Sequence, residues 1–299
     1  MGSKNNQIQN NCTMKKLRVH DILLKKSSNE KLTVLTAYDY PMAFLCDNAG
    51  IDIILVGDSA GMVVLGYPST IPVQMEEMLL FVGAVGRATK HSLITADMPF
   101  GSYQTSVNSA IDNAIKLIKA GSDAVKLEGG TEISGTIKAL VDSGIPVMGH
   151  VGLRPQTSVL WDGYQTQGNT LAAARKIISD AKSLEQAGVF SIVLEMVTDE
   201  VTEIISKSTA VPIIGIGSGN NCDGQVLVLH DILGLYGKLK PRFVKQYLNL
   251  SEVISVALSN YINDVRSGVF PSKENIFHMS NDEYSRLKNM LGKGDGVDE

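Results

Sequence analysis

Three cysteines in 299 residues, Cys12, Cys46 and Cys222, stand far apart and form no C-x-x-C pair. That argues against a disulfide framework and a cysteine zinc site, and it suits a reducing compartment, so a cytoplasmic location is expected. No apolar run comes near the roughly 20 residues that a membrane-spanning helix needs. Positive charge is not in surplus either: 27 Lys and Arg against 31 Asp and Glu give a net charge of −4. Nothing therefore draws the chain to nucleic acid in general, and an anionic small molecule would need local cations or a metal to hold it. The first expected strand is followed by no G-x-G-x-x-G run, so there is no dinucleotide fingerprint. Acidic residues are missing from positions 1–16, which are polar and asparagine-rich. A disordered native extension is expected there; an added leader ending before Met14 is an alternative, and a transit peptide is another, although no arginine precedes Arg18.

What is present suits a large core, with 44% hydrophobic and 19% charged residues. The length fits one α/β barrel of about 250 residues with extensions. The run from Ile51 to Pro72 organises the chain: Ile53, Ile54, Leu55 and Val56 are continuously apolar, as in a parallel strand covered on both faces, and Asp58 and Ser59 follow where such a strand leaves the core. Further strands are expected at 33–37, 92–96, 124–127, 146–149, 191–194, 211–216 and 225–229, with helical patterns between them. In 106–120, Val107, Ala110, Ile111, Ala114 and Ile118 share one face, Ser106 is placed to cap the start and Gly121 to end it. The segment 170–187, ending at Gly188, behaves alike. This alternation predicts a (β/α)8 TIM barrel in preference to a doubly wound sheet. A short helix is expected at 17–24, a single barrel domain over 17–278 with a C-terminal helix at 243–265, and a polar tail over 279–299.

Three strands end in carboxylates: Asp58, Asp97 and Glu128. In a barrel these are neighbours over one mouth, where carboxylates about 4 Å apart repel by roughly 4 kcal/mol per pair at an effective dielectric of 20. Such a cluster implies a hard cation such as Mg²⁺, unless each acid simply caps the helix after its strand. Lys126, two residues before Glu128, faces the same way. It is either half of a structural ion pair or the holder of an anionic substrate. His150 and Glu195 end the fifth and sixth strands; each is either structural or, for Glu195 on an apolar strand, a base with a raised pKa. The glycine-rich run 213–225 either binds a phosphate or carboxylate through backbone N–H groups or is a tight turn.

The runs TAYDYPMA, ILVGDSAGMVVLGYPSTIPV, ADMPFGSY, AVKLEGG, GIPVMGHVGLRPQ, VLEMV, PIIGIGSGNNCDGQVLVLHDILGL, PRFVKQY and SGVFP, in this order between Met14 and His278, closely resemble the ketopantoate hydroxymethyltransferase (3-methyl-2-oxobutanoate hydroxymethyltransferase) family. The resemblance implies a barrel of the phosphoenolpyruvate mutase and isocitrate lyase type, assembled as a homodecamer and acting on small molecules, with one Mg²⁺ per subunit. It implies Asp58 and Asp97 as metal ligands, Glu128 reaching the ion directly or through water, Ser59 and Lys126 holding the keto acid together with Asp58 and Asp97, Glu195 as general base and His150 close to the substrate in support. The implied reaction moves a one-carbon unit from 5,10-methylenetetrahydrofolate to 3-methyl-2-oxobutanoate through a metal-stabilised enolate, giving 2-dehydropantoate, in pantothenate biosynthesis. A Mg²⁺-dependent 2-oxo acid lyase or mutase on the same barrel is the alternative enzyme, and a non-catalytic scaffold the alternative outside catalysis. Three positions depart from the family's usual residues: Arg154, Gln165 and Ser218.

Overall fold

A computed structural model describes residues 15–160, 165–237 and 241–292. Eight parallel strands close into a barrel in chain order: β1 Leu32–Thr36, β2 Ile53–Val56, β3 Leu93–Asp97, β4 Ala124–Glu128, β5 Val147–Gly152, β6 Ser191–Glu195, β7 Ile213–Ile216 and β8 Gly224–Leu227, with β8 pairing back onto β1. The expected strands lie within three residues of these. Helices follow every strand except β7, which a glycine-rich turn joins directly to β8, and they cover the barrel. Helix Val107–Ala120 starts where Ser106 Oγ accepts from Ser109 N at 3.1 Å and ends at Gly121, whose φ of +126° an L side chain would resist. Helix Leu171–Ala187 is bounded in the same way by Thr170 and Gly188.

Two apolar layers follow from the period-two alternation of strands. Leu32, Val34, Ile53, Leu55, Leu93, Ala124, Met148, Val193, Ile214 and Val226 fill the barrel interior. The alternate positions, among them Ile54, Val56, Ala96, Val125, Leu127 and Leu194, pack outward under the helices. The inward series continues past this plug: Leu93 leads to Asp97 by two steps of two, Ala124 to Lys126 and Glu128, Met148 to His150, and Val193 to Glu195. The residues of chemical interest are thus the next inward positions at the carboxyl ends of strands whose earlier inward positions are apolar.

The amino end of the barrel is closed by helix Val19–Ser27, whose Ile22 enters the interior cluster. It begins later than the expected 17–24 because the Arg18 N–H is taken by the Asp21 carboxylate at 2.8 Å. Four aspartates hold this end. Asp52 accepts from Thr33 N and pairs with Lys25, both at 2.8 Å. Asp123 accepts from Ile94 N at 2.8 Å and pairs with Lys16 at 2.7 Å. Asp223 accepts from Ile213 N and pairs with Lys26, both at 2.8 Å. Asp47 accepts from the backbone N–H groups of Lys90, His91 and Ser92 at 2.7–2.9 Å and from Ser92 Oγ at 3.0 Å.

Beyond the barrel one expectation changes. Residues 241–249 are not helical: Tyr247 and Leu248 both give their N–H groups to Ile232 O, which diverts them from a helical ladder, and the helix runs Leu250–Ser267 instead of 243–265. The chain forms two compact units that meet between Leu248 and Asn249 in the sequence, and every described residue from 251 to 292 is exposed. Within the polar tail over 279–299, Ser280 caps a helix, Asn281–Leu291, with Tyr284, Leu287 and Leu291 at helical spacing. Residues 1–14 and 293–299 lie outside the described residues. Among the described residues no helix is long and apolar enough to cross a membrane.

Candidate active site

All seven residues singled out in the sequence, Asp58, Ser59, Asp97, Lys126, Glu128, His150 and Glu195, line one cavity of about 390 Å³ at the carboxyl end of the barrel. Asp97 Oδ2 accepts from the Asp58 backbone N–H at 3.0 Å, and its Oδ1 pairs with Lys126 Nζ at 2.7 Å. His150 spans the next gap: its Nδ1 lies 3.5 Å from Glu128 Oε1 and its Nε2 lies 3.2 Å from Glu195 Oε2. Ser59 Oγ is 2.8 Å from the Tyr38 hydroxyl. Asp58, Asp97, Lys126, Glu128 and His150 are all at least 95% buried.

Burial at this density makes the charges interdependent. Burial, then the charges of Asp97 and Glu128, hold Asp58 well above the usual carboxylate range. Burial would raise Glu128 too, but His150, Lys126 and the Gln156 N–H outweigh it and leave the carboxyl below its usual value. Lys126 behaves alike with opposite sign: burial disfavours its charge, yet Asp97, Glu128 and Asp58 carry it above the normal lysine range. For His150, burial and Lys126 work against the imidazolium, and the facing carboxylates of Glu128 and Glu195 more than offset them, taking it up to about 9.

Five carboxylates, Asp58, Asp97, Glu128, Glu195 and Asp231, share the cavity with two permanent cations, Lys126 and Arg242. That imbalance leaves room for a divalent cation. Among the described residues, no three His, Cys, Asp or Glu side chains close into a cage for one. The donor set fits Mg²⁺ in a different manner: an all-oxygen pair from Asp58 and Asp97, with Glu128 beyond, suits an ion that keeps waters and substrate oxygens in its shell.

The structure adds residues that carry no charge and so gave no signal in the sequence. Gln156 is buried, and its Nε2 donates to Asp58 Oδ2 at 2.8 Å and to Met98 O at 2.9 Å, while its backbone N–H donates to Glu128 Oε2 at 3.1 Å. Gln156 Oε1 and Glu128 O each lie 2.9 Å from the Tyr103 hydroxyl. Position 156 falls within the run GLRPQ, but only its proximity to two carboxylates reveals its role.

Glu195 sits on a deliberately shaped turn. Met196 follows it with φ +50°, a left-handed conformation that costs a side-chain-bearing residue energy. Gly152 approaches so closely that a Cβ there would stand 2.4 Å from Glu195 O. Ser218 clamps the turn from beneath: its Oγ donates to Leu194 O at 2.7 Å and accepts from Val197 N at 3.0 Å. Of the other two unusual positions, Arg154 pairs with Glu132, and Gln165 accepts from Gln167 Nε2 through its carbonyl at 2.9 Å. The glycine-rich run 213–225 contributes only Ile216 to the cavity; a Cβ on Gly217 or Gly219 would strike Phe243 or Asp199, as a tight turn requires.

Comparison with known proteins accords with this arrangement. The family model described as ketopantoate hydroxymethyltransferase matches residues 16–273. A 3-methyl-2-oxobutanoate hydroxymethyltransferase of Nitrosopumilus maritimus is 57% identical over 92% of this chain and 98% of its own. One from Staphylothermus marinus is 53% identical over 88% and 97%. Among solved structures, phosphonopyruvate hydrolase in complex with oxalate and Mg²⁺ is similar with a TM-score of 0.56 at 14% identity, over 92% of this chain and 99% of that one. A 2,3-dimethylmalate lyase of the phosphoenolpyruvate mutase and isocitrate lyase superfamily gives 0.55 at 12%, over 92% and 99%. At those identities the likeness is one of fold.

Proposed function

The chain belongs to the ketopantoate hydroxymethyltransferase family, and on that premise we propose that it transfers a one-carbon unit from 5,10-methylenetetrahydrofolate to C3 of 3-methyl-2-oxobutanoate. The observation that carries this reading is the bridge made by His150, which links Glu128 on the cation side of the cavity to Glu195 on the other. A keto acid between them would have its oxygens toward Asp58 and Asp97 and its C3 toward Glu195.

In this reading Asp58 and Asp97 would hold Mg²⁺, and Glu128 would reach it directly or through water. The ion, when bound, supplies Lewis-acid polarisation of the keto oxygen, which stabilises developing enolate charge by several kcal/mol. Lys126, kept charged by Asp97, and the Ser59 hydroxyl hold the substrate carboxylate. Gln156 fixes the Asp58 carboxylate so that its other oxygen faces the cavity. Glu195 removes the C3 proton, and His150 orients the Glu195 carboxylate while it does so. The methylene carbon passes to the carbanionic C3 as its two C–N bonds break, water supplies the hydroxyl oxygen, and tetrahydrofolate leaves with a proton on each freed nitrogen. The lining of the cavity is mostly apolar outside these groups, which limits quenching of the carbanion by solvent. We place the enzyme in pantothenate biosynthesis, in the cytoplasm and as a homodecamer; light scattering of the purified protein checks the assembly.

The test is exchange of the C3 proton of 3-methyl-2-oxobutanoate with D₂O, followed by NMR. Exchange is expected with Mg²⁺, is lost on chelation, and falls about 10²- to 10⁴-fold in Glu195→Gln. Exchange at the wild-type rate in that variant would remove Glu195 as the base.

A further inference from the structure

The residues assigned so far occupy one arc of the barrel mouth, from the end of β2 to the end of β6. In a closed ring of eight strands β8 stands opposite β4, so the wall that follows β8 faces Lys126 and Glu128 across the opening. That wall contains Val228, Asp231, Tyr236, Arg242 and Phe243, and it lines the same cavity. Asp231 is held in place by the short helix Leu229–Ile232, which is tied to β1 by a hydrogen bond from Leu229 N to Thr36 Oγ1 at 3.0 Å.

Asp231 is unusual among the acids of the barrel. Asp47, Asp52, Asp58, Asp97, Glu128 and Asp180 each have at least one hydrogen-bond or ion-pair partner. The half-buried Asp231 carboxyl has none among the described residues, although partly desolvating a carboxylate without compensation is costly. Burial pushes it up to about 6, where acid and base forms interconvert readily near neutral pH.

The transfer reaction calls for such a group. Two C–N bonds of the donor break, one C–C and one C–O bond form, and both nitrogens end with a hydrogen. One of those protons corresponds to the one taken from C3 by Glu195. The other comes from the water that becomes the hydroxyl, and a carrier on the donor's side of the cavity is needed to deliver it. We propose that Asp231 is this carrier, giving its proton to the nitrogen that leaves the methylene carbon and recovering one from the attacking water. This role rests on the transfer reading above.

Two assays on the full chain with Mg²⁺ separate the two. C3 exchange needs only the keto acid and Glu195, whereas transfer needs the folate as well. Asp231→Asn is expected to lower the ratio of transfer to exchange about 10²-fold or more, through kcat rather than KM for the folate, and Asp231→Glu to recover at least about tenfold of the loss. An unchanged ratio in Asp231→Asn, or equal loss of both activities, overturns the role of Asp231 and leaves the transfer reading standing. Wild-type protein that neither exchanges nor transfers overturns that reading, and the role of Asp231 with it.

Discussion

At the amino end of the barrel Asp47, Asp52, Asp123 and Asp223 accept hydrogen bonds from backbone N–H groups, and the last three also pair with lysines of the segment that closes the barrel. At the carboxyl end Asp58, Asp97 and Glu128 crowd together with Lys126 as their nearest fixed cation, and Asp58 is held well above its normal pKa as a result. The same side chain thus stabilises one end of the barrel and strains the other. In (β/α)8 barrels the two ends divide stability from chemistry in this way. Here the division is visible in the hydrogen-bond partners of the aspartates.

The comparison breaks most sharply with Asp58→Asn. The amide keeps an acceptor for Gln156 Nε2 but loses the charge, so metal-dependent C3 exchange is expected to fall about 10³-fold. In metal-free buffer the variant should melt no lower than wild type, and higher if like-charge repulsion dominates. A Tm several degrees below wild type would show that Asp58 is a structural acid like those at the other end.

Asp47→Ala is the converse. It leaves the N–H groups of Lys90, His91 and Ser92 without their acceptor at a partly buried turn, and a loss of about 2–4 kcal/mol is expected in denaturant titration. Turnover per folded molecule should be unchanged, and a fall in kcat would mean that the two ends are coupled. The pH dependence follows from the same bonds. Burial alone would raise Asp47, but the three N–H groups outweigh it and depress its pKa. Its contribution is therefore complete above the unfolded-state value of about 4 and is lost as pH falls through the lower folded-state value. The stability gap between wild type and Asp47→Ala should be constant above about pH 4 and narrow below it.

Much of this is legible in the sequence. The strands announced themselves because both of their faces are covered, which makes them continuously apolar, and Asp97, Lys126, Glu128, His150 and Glu195 interrupt that pattern where the core ends. Charge on an apolar strand is a strong signal. Gln156 and Tyr103 gave none, since a neutral polar residue in a loop is unremarkable until it is found against Asp58 and Glu128. Asp231 escaped for another reason: periodicity runs on through 225–229, and a carboxylate two residues further on reads as an ordinary residue of the following helix. The segment 241–249 looked helical because local pattern cannot show that Ile232 O captures two of its N–H groups.

Ser218 sharpens the comparison at its smallest scale, because it brings the bonding style of the amino end to the catalytic end. Its hydroxyl joins Leu194 O to Val197 N across Glu195 and the left-handed Met196, so it secures the turn that carries the acid proposed as the base. Ser218→Ala leaves a buried acceptor and a buried donor without this partner, and about 1–2 kcal/mol of stability should be lost. If the clamp also sets the direction of the Glu195 carboxylate, C3 exchange should slow by up to about tenfold with the KM for the keto acid nearly unchanged, since a small misplacement of a base acts on the proton-transfer step. Loss of stability with full exchange would show instead that Gly152 and the strained Met196 define the turn by themselves, and that the hydroxyl contributes to folding alone.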